Sequence, residues 1–121
     1  MVVLLAAMLG CGGRAFRTPD SVRGYEIVIT GHDSVSRAFA HELANAGFRV
    51  RSAVRGGNRP AAVLVHFVFQ EPSGPALLYG RLADTRSGAI VAAASIPLDS
   101  TPRARRDSVP ALVRALTAQG T

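Results

Sequence analysis

Apolar and polar positions along this chain follow periods that change from segment to segment, and each change predicts an element. Val2 to Leu9 (VVLLAAML) is an unbroken apolar run, followed by Gly10 and Cys11. From Gly12 to Gly24 no apolar period exists, and Gly, Arg and Pro punctuate the stretch, which predicts a short tether. Tyr25 to Thr30 (YEIVIT) is rich in strand formers, with Ile27 and Ile29 on one face and Val28 on the other. Apolar groups on both faces predict an interior strand. Gly31-His32 then turns the chain, and Asp33 or Ser34 is placed to cap a helix. Val35, Phe39, Leu43 and Ala46 recur at helical spacing, with Ala38 widening the stripe. Gly47 stands where a left-handed C-cap is wanted, and Phe48 is placed to fold back over the last turn.

Phe48 to Val54 (FRVRSAV) alternates, putting Phe48, Val50 and Ser52 on one side and Arg49 and Arg51 on the other. That predicts a strand with one wet face. Arg55 to Pro60 is a loop, and Ala61 to Gln70 (AAVLVHFVFQ) is a short run apolar on both faces, hence a central strand. Ala76 to Asp84 pairs with Ala89 to Leu98 across Thr85-Arg86-Ser87-Gly88, whose glycine suits a tight connection. The small residues Ala92, Ala93 and Ala94 predict an element packed closely over them, a helix. Val109, Leu112, Val113 and Leu116 mark one face of a closing helix, with Pro110 expected in its first turn and Gly120 just past its end.

The order is strand, helix, four strands, helix. A right-handed first crossover sets strands one and two parallel, and successive hairpins make the rest antiparallel. Two helices with a single apolar face each should cover one side of the sheet. The expected fold is therefore α+β: a two-layer sandwich of a mixed, mostly antiparallel five-stranded sheet with two helices on one face.

Composition and charge change this picture in one respect, the location. An apolar run of this length spans under half of a ~30 Å hydrocarbon core and does not cross a membrane. It matches the apolar segment of an export signal instead. Met8-Leu9-Gly10-Cys11 resembles the lipobox, at which a peptidase cuts before a cysteine that is then acylated. Met stands where Leu is usual, and no Lys or Arg precedes the run. The resemblance implies a signal peptide over residues 1–10, lipidation at Cys11, a tether over 11–24 and one domain over 25–121. The competing account is a buried N-terminal strand with an incidental cysteine. Cys11 is the only cysteine among the 121 residues, so no intrachain disulfide is possible. The net charge is +6, and all 14 basic residues are arginine. A basic domain meets anionic partners. Outside the cytoplasm these are an acidic protein face, an acidic glycan or anionic lipid rather than nucleic acid.

The segments Ala38 to Val50 (AFAHELANAGFRV), Ala62 to Phe69, Leu82-Ala83-Asp84 and Ser87-Gly88-Ala89-Ile90-Val91 together resemble a group of bacterial envelope domains. The group comprises the amino-terminal domain of TolB, the flagellar lipoprotein FlgO, the curli channel subunit CsgG and the penicillin-binding-protein activator LpoB. They share a helix ending in Gly-Phe-x-Val, a hydrophobic strand and a hairpin of one type; here Ser87 replaces the usual Thr. These motifs are turn glycines and core positions. The resemblance implies a periplasmic lipoprotein, at the outer rather than the inner membrane, that uses neither cofactor nor metal and works by binding an envelope protein.

Candidate chemistry is sparse. His32, His41 and His66 have no metal-ligand spacing. Gly31-His32-Asp33-Ser34 lacks the Gly-x-Ser-x-Gly elbow of a hydrolase, and capping accounts for Asp33 and Ser34. Gly56-Gly57 between Arg55 and Arg59 can offer backbone amides to phosphate, or serve as an ordinary loop. Two function classes follow. One is a lipid-anchored, non-enzymatic interaction module using the sheet's open face or edge, or Arg49, Arg51, Arg55 and Arg59, against an acidic partner. The other is a small periplasmic enzyme or ligand-binding protein with His32, Asp33 and His66 in a pocket.

Overall fold

The computed structural model describes residues 19, 21–54, 59–98 and 104–119. A 3-10 turn at Val22–Gly24 leads into β1 (Glu26–Val28), α1 (Ser34–Asn45), β2 (Val50–Arg51), β3 (Ala61–Gln70), β4 (Ala76–Asp84), β5 (Ile90–Pro97) and α2 (Ala104–Thr117). The strands form one open sheet in the order β2-β1-β3-β4-β5. The architecture is α+β, with both helices on one face, as the hydrophobic pattern predicts.

The sheet joins two kinds of pairing. β1 lies between β2 and β3 and runs parallel to both, in register Ile27 with Val50 and Ile27 with Ala62. β3 to β4 and β4 to β5 are antiparallel hairpins, and the first of these ladders runs from Ala62–Asp84 to Gln70–Ala76. The parallel part is short and the antiparallel part long. One expectation is corrected here: β2 and β3 form no hairpin, because β1 is inserted between them and takes the hydrogen bonds of both. β1 and β2 are also shorter than the sequence alternation, which ran over 25–30 and 48–54.

Local chemistry explains the helix ends. Asp33 is the N-cap of α1 and accepts from the Ser36 amide at 3.3 Å, satisfying a donor that lacks an intrahelical partner. At the other end Gly47 adopts φ 96°, the Gly47 amide donates to Ala44 O and the Phe48 amide to Leu43 O, both at 3.0 Å. This pair of bonds is a Schellman closure, which needs a residue without a Cβ at the left-handed position. Phe48 is buried beside it. Arg23, in the 3-10 turn three residues before β1, finishes the cap: its guanidinium donates to the Ala46 carbonyl and stacks 4.7 Å from the Phe48 ring centroid. A cation at a helix C-terminus meets the negative end of the dipole.

The core lies between the sheet and the helices. Ile27, Leu64, Leu78, Leu82 and Ala92 from the sheet meet Phe39 and Leu43 of α1 and Val109, Leu112, Val113 and Leu116 of α2. Val22 is buried among them, so the folded body takes in residues that the sequence pattern left in the tether. Gly80 is where α2 comes closest to the sheet: a Cβ there would lie 3.1 Å from Leu112 Cδ2. Ala92 and Ala94 of β5 serve the same approach, as their size predicts, whereas Ala93 faces the other side of the sheet. Pro110 is corrected as well. It sits inside α2 rather than in its first turn, leaving the carbonyl four residues earlier without its helical donor. Among the described residues no helix is long and apolar enough to cross a membrane.

Candidate functional site

The helices cover one face of the sheet, so the alternate residues of every strand face the other way. On β3 these are Ala61, Val63, Val65, Phe67 and Phe69; on β4 they are Leu77, Tyr79, Arg81 and Ala83, placed opposite in register. Phe67 is 45% and Phe69 47% exposed, against buried Leu64 and Leu78 on the helix side. The Phe67 and Tyr79 rings touch, with centroids 4.9 Å apart and a tilt of 39°. An aromatic cross-strand pair of this kind stiffens the hairpin and leaves its outer surface apolar. Arg81 stands in the same row, two residues along β4 from Tyr79. A contiguous apolar surface carrying an arginine suits contact with another macromolecule better than contact with water.

The sequence pattern offers, beside the sheet's open face or edge, the four arginines Arg49, Arg51, Arg55 and Arg59. Arg49 and Arg51 lie on this same helix-free side, next to β1. There they meet Glu26, whose Oε2 is 3.1 Å from Arg51 Nε and 3.9 Å from Arg49 Nε. Glu26 is only 6% exposed, and its Oε2 has no well-aligned hydrogen bond, so the attraction is ionic and undirected. A carboxylate so placed draws both arginines to the β1–β2 border. Arg59 is exposed in the loop before β3. Arg55 and Cys11 lie outside the described residues, as does the apolar run at the start of the chain.

Of the candidate pocket residues, Asp33 and His66 are linked through Ser36, and His32 lies outside that link. His32 is exposed before α1, and His41 is exposed on α1, where its Nε2 is 3.1 Å from Asn45 Nδ2. His66 faces the helices, its ring 5.0 Å from that of Phe39. Its Nε2 lies 2.9 Å from Ser36 Oγ, and Ser36 Oγ lies 2.6 Å from Asp33 Oδ1. The chain Asp33–Ser36–His66 has the residue types of a hydrolytic triad in the wrong order. The Ser36 hydroxyl has one proton, and an ionised carboxylate can only accept, so Ser36 donates to Asp33. His66 then donates to Ser36 and has no lone pair directed at it with which to act as a base. The Ser36 hydroxyl bond is the chief reason that the Asp33 carboxyl sits below its usual value; burial opposes it, and the Ser36 amide and the charge of His66 assist. Among the described residues no group of three His, Cys, Asp or Glu side chains gathers as a metal would require.

Asp84 is the other carboxylate with built surroundings. Its Oδ2 accepts from the Tyr25 hydroxyl at 2.7 Å, and its Oδ1 from the amides of Arg86 and Ser87 at 2.8 and 3.1 Å. It therefore ties the start of β1 to the β4–β5 turn, with three of its roughly four acceptor sites engaged. Burial raises its carboxyl pKa, but those three hydrogen bonds and the charge of Arg86 outweigh it, and the net direction is down.

The apolar row on the helix-free face was not singled out from the sequence. Its signal was present in the two-sided apolar pattern of Ala61 to Gln70. Two helices with one stripe each can cover only one face of a five-stranded sheet, so half of that pattern had to stay open. The chain matches no protein-family model and no curated protein sequence.

Proposed function

We propose that the chain is a lipid-anchored, non-enzymatic protein-interaction or assembly module of the bacterial cell envelope, on the periplasmic side. The observation that supports this reading is the helix-free face, where Phe67 and Phe69 stand nearly half exposed beside Tyr79 and Arg81. The partner's chemistry follows from that surface. It is an envelope protein presenting apolar side chains with a carboxylate opposite Arg81, since fully desolvated arginine needs a counter-charge. The anchor reading rests on Met8-Leu9-Gly10-Cys11 and on the apolar run before it. The proton order of Asp33–Ser36–His66 favours this reading over a triad-type hydrolase.

Two measurements test the reading together. Labelled palmitate fed to expressing cells should appear on the wild-type chain and not on Cys11→Ala, and the variant should leave the membrane fraction. A photo-crosslinking residue at position 67 should join the protein to a membrane-associated partner. Unlabelled protein recovered from the cytosol would defeat the address, and the absence of any adduct from position 67 would defeat the docking face.

A further inference from the structure

The two edges of the sheet are built differently. A free edge offers outward N–H and C=O groups to any passing strand. On β5 that offer is partly withdrawn. The Gln119 side chain accepts from the Ala93 amide at 3.1 Å and donates to the Ala93 carbonyl at 2.7 Å, occupying two of the positions a sixth strand would use. Pro97, an outward position two pairs along, has no N–H to give. The β5 register also shifts between Leu82 and Ala83, where Val91 is the extra residue.

On β2 nothing comparable exists among the described residues. The Ile27 amide donates to Arg49 O and the Ile29 amide to Arg51 O, both at 2.9 Å, so residues 49 and 51 bond inward. The peptide groups of Val50, between them, point away from the sheet and meet no partner among the described residues. The strand pattern of Phe48 to Val54 also outruns the two residues in the ladder. β1 ends at Val28 and offers no strand opposite Ser52 to Val54, which are exposed. The sequence there is written for a longer strand than β1 can pair.

We propose that the β2 edge is a strand-addition site for an extended, acidic segment of the partner protein. This inference rests on the interaction-module reading and adds the conformation and charge of what is bound. The segment bonds to Val50 through its backbone, extends β2 toward Val54 and sets carboxylates beside Arg49 and Arg51. Glu26 shows the arrangement already, from the β1 side of the same two arginines. The Arg49 side chain is 59% exposed and can accept a second carboxylate. A second copy of this chain does not fit, because pairing two β2 edges would set Arg49 and Arg51 against their own kind.

The test uses the folded chain with isotope-labelled amides and two synthetic strand peptides, one alternating Val with Glu and the other Val with Lys. Titration with the Glu peptide should move the amides of Val50 and Ser52 to Val54, and the Lys peptide should move none. Val50→Pro removes the outward N–H, together with a side chain half-buried against the core, and should abolish the response. If that variant does not fold, Arg49→Glu decides: it should weaken the Glu peptide by about tenfold, the scale of one lost charge pair. Shifts confined to Phe67, Phe69 and Tyr79, no shifts at millimolar peptide, or unchanged binding by Arg49→Glu each overturn the proposal. Crosslinkers at Ser52 and Phe67 in envelope membranes separate the two readings. Adducts from Phe67 alone overturn strand addition and leave the module intact; peptide shifts at Val50 without an adduct from either position defeat the module and keep the edge.

Discussion

The Tyr25 hydroxyl donates to the buried carboxylate of Asp84 across 2.7 Å, between residues 59 apart in the chain. This bond fixes the entry of β1 to the turn that joins β4 and β5, at opposite sides of β3. Removing one partner strands the other in a buried site. Tyr25→Phe leaves Asp84 its two amide donors and should cost about 1–2 kcal/mol. Asp84→Asn weakens all three bonds, since the donors then meet a neutral acceptor, and should cost about 2–3 kcal/mol. Denaturant unfolding of the two single variants and the double variant measures both. A double variant that costs the sum of the singles would show the bond to be energetically idle.

The same pair sets how stability depends on pH. Asp84 has a carboxyl pKa lowered in the folded state, so its contribution is complete above the unfolded value near 4 and is lost as pH falls through the folded one. Tyr25 is the opposite case. Burial first, then the bond to Asp84 and its charge, push the phenol up to about 12 from 10.0. Its contribution is complete below pH 10 and declines between pH 10 and about 12, at a slope approaching ~1.4 kcal/mol per unit for one proton. Unfolding free energies measured from pH 9 to 12 should fall in wild type, and the Tyr25 part of that fall should vanish in Tyr25→Phe.

Much of this fold is legible in the order of residues, for reasons that are local. α1 announces itself through Asp33, the Val35–Phe39–Leu43 stripe and Gly47, all within one helix length. The β4–β5 hairpin does so through Asp84 and Gly88, the latter at φ 75°. What stays hidden depends on partners far along the chain. Nothing near β1 says that it separates β2 from β3, or that it is only three residues long in the ladder. Val22 has no periodic neighbours, yet it is buried, because Tyr25 and the core close over it. Arg49 and Arg51 read as a wet face; that Glu26 would lie beside them depends on parallel pairing that no short window contains. The candidate docking face is a residue of counting, visible only once both helices are known to lie on one side.

Gly31 makes a prediction about the capping network. A Cβ at this position would stand 2.4 Å from Ser36 Oγ, a distance real side chains do not keep, and a tight 3.0 Å from Asp33 Oδ1. Gly31→Ala should therefore force Ser36 and Asp33 apart and release His66 from its serine. The expected cost is about 1–2 kcal/mol, the scale of a lost N-cap. The His66 ring-proton chemical shifts should then move relative to wild type at one fixed pH. Unchanged shifts together with unchanged stability would mean that the network relaxes around the methyl.

Pro110 tests whether α2 begins where the backbone places it. From Ala104 to Thr117 the helix carries Pro110 at its seventh residue, where proline removes a main-chain bond and crowds the preceding turn. The buried stripe Val109, Leu112, Val113 and Leu116 holds the C-terminal half against the sheet whatever happens upstream. Upstream of Val109, Arg106 and Asp107 are exposed and gain little from packing, so that turn depends on the helix itself. Pro110→Ala restores the donor to the Arg106 carbonyl without touching the core, and should stabilise the protein by about 1–3 kcal/mol. Amide exchange at Asp107 to Val109 should slow in parallel, because the first turns become continuous with the rest. If stability and exchange both stay as in wild type, the helix in solution starts at the proline. Its first two turns then contribute nothing, and Pro110 occupies the first-turn position that suits a residue without an amide hydrogen.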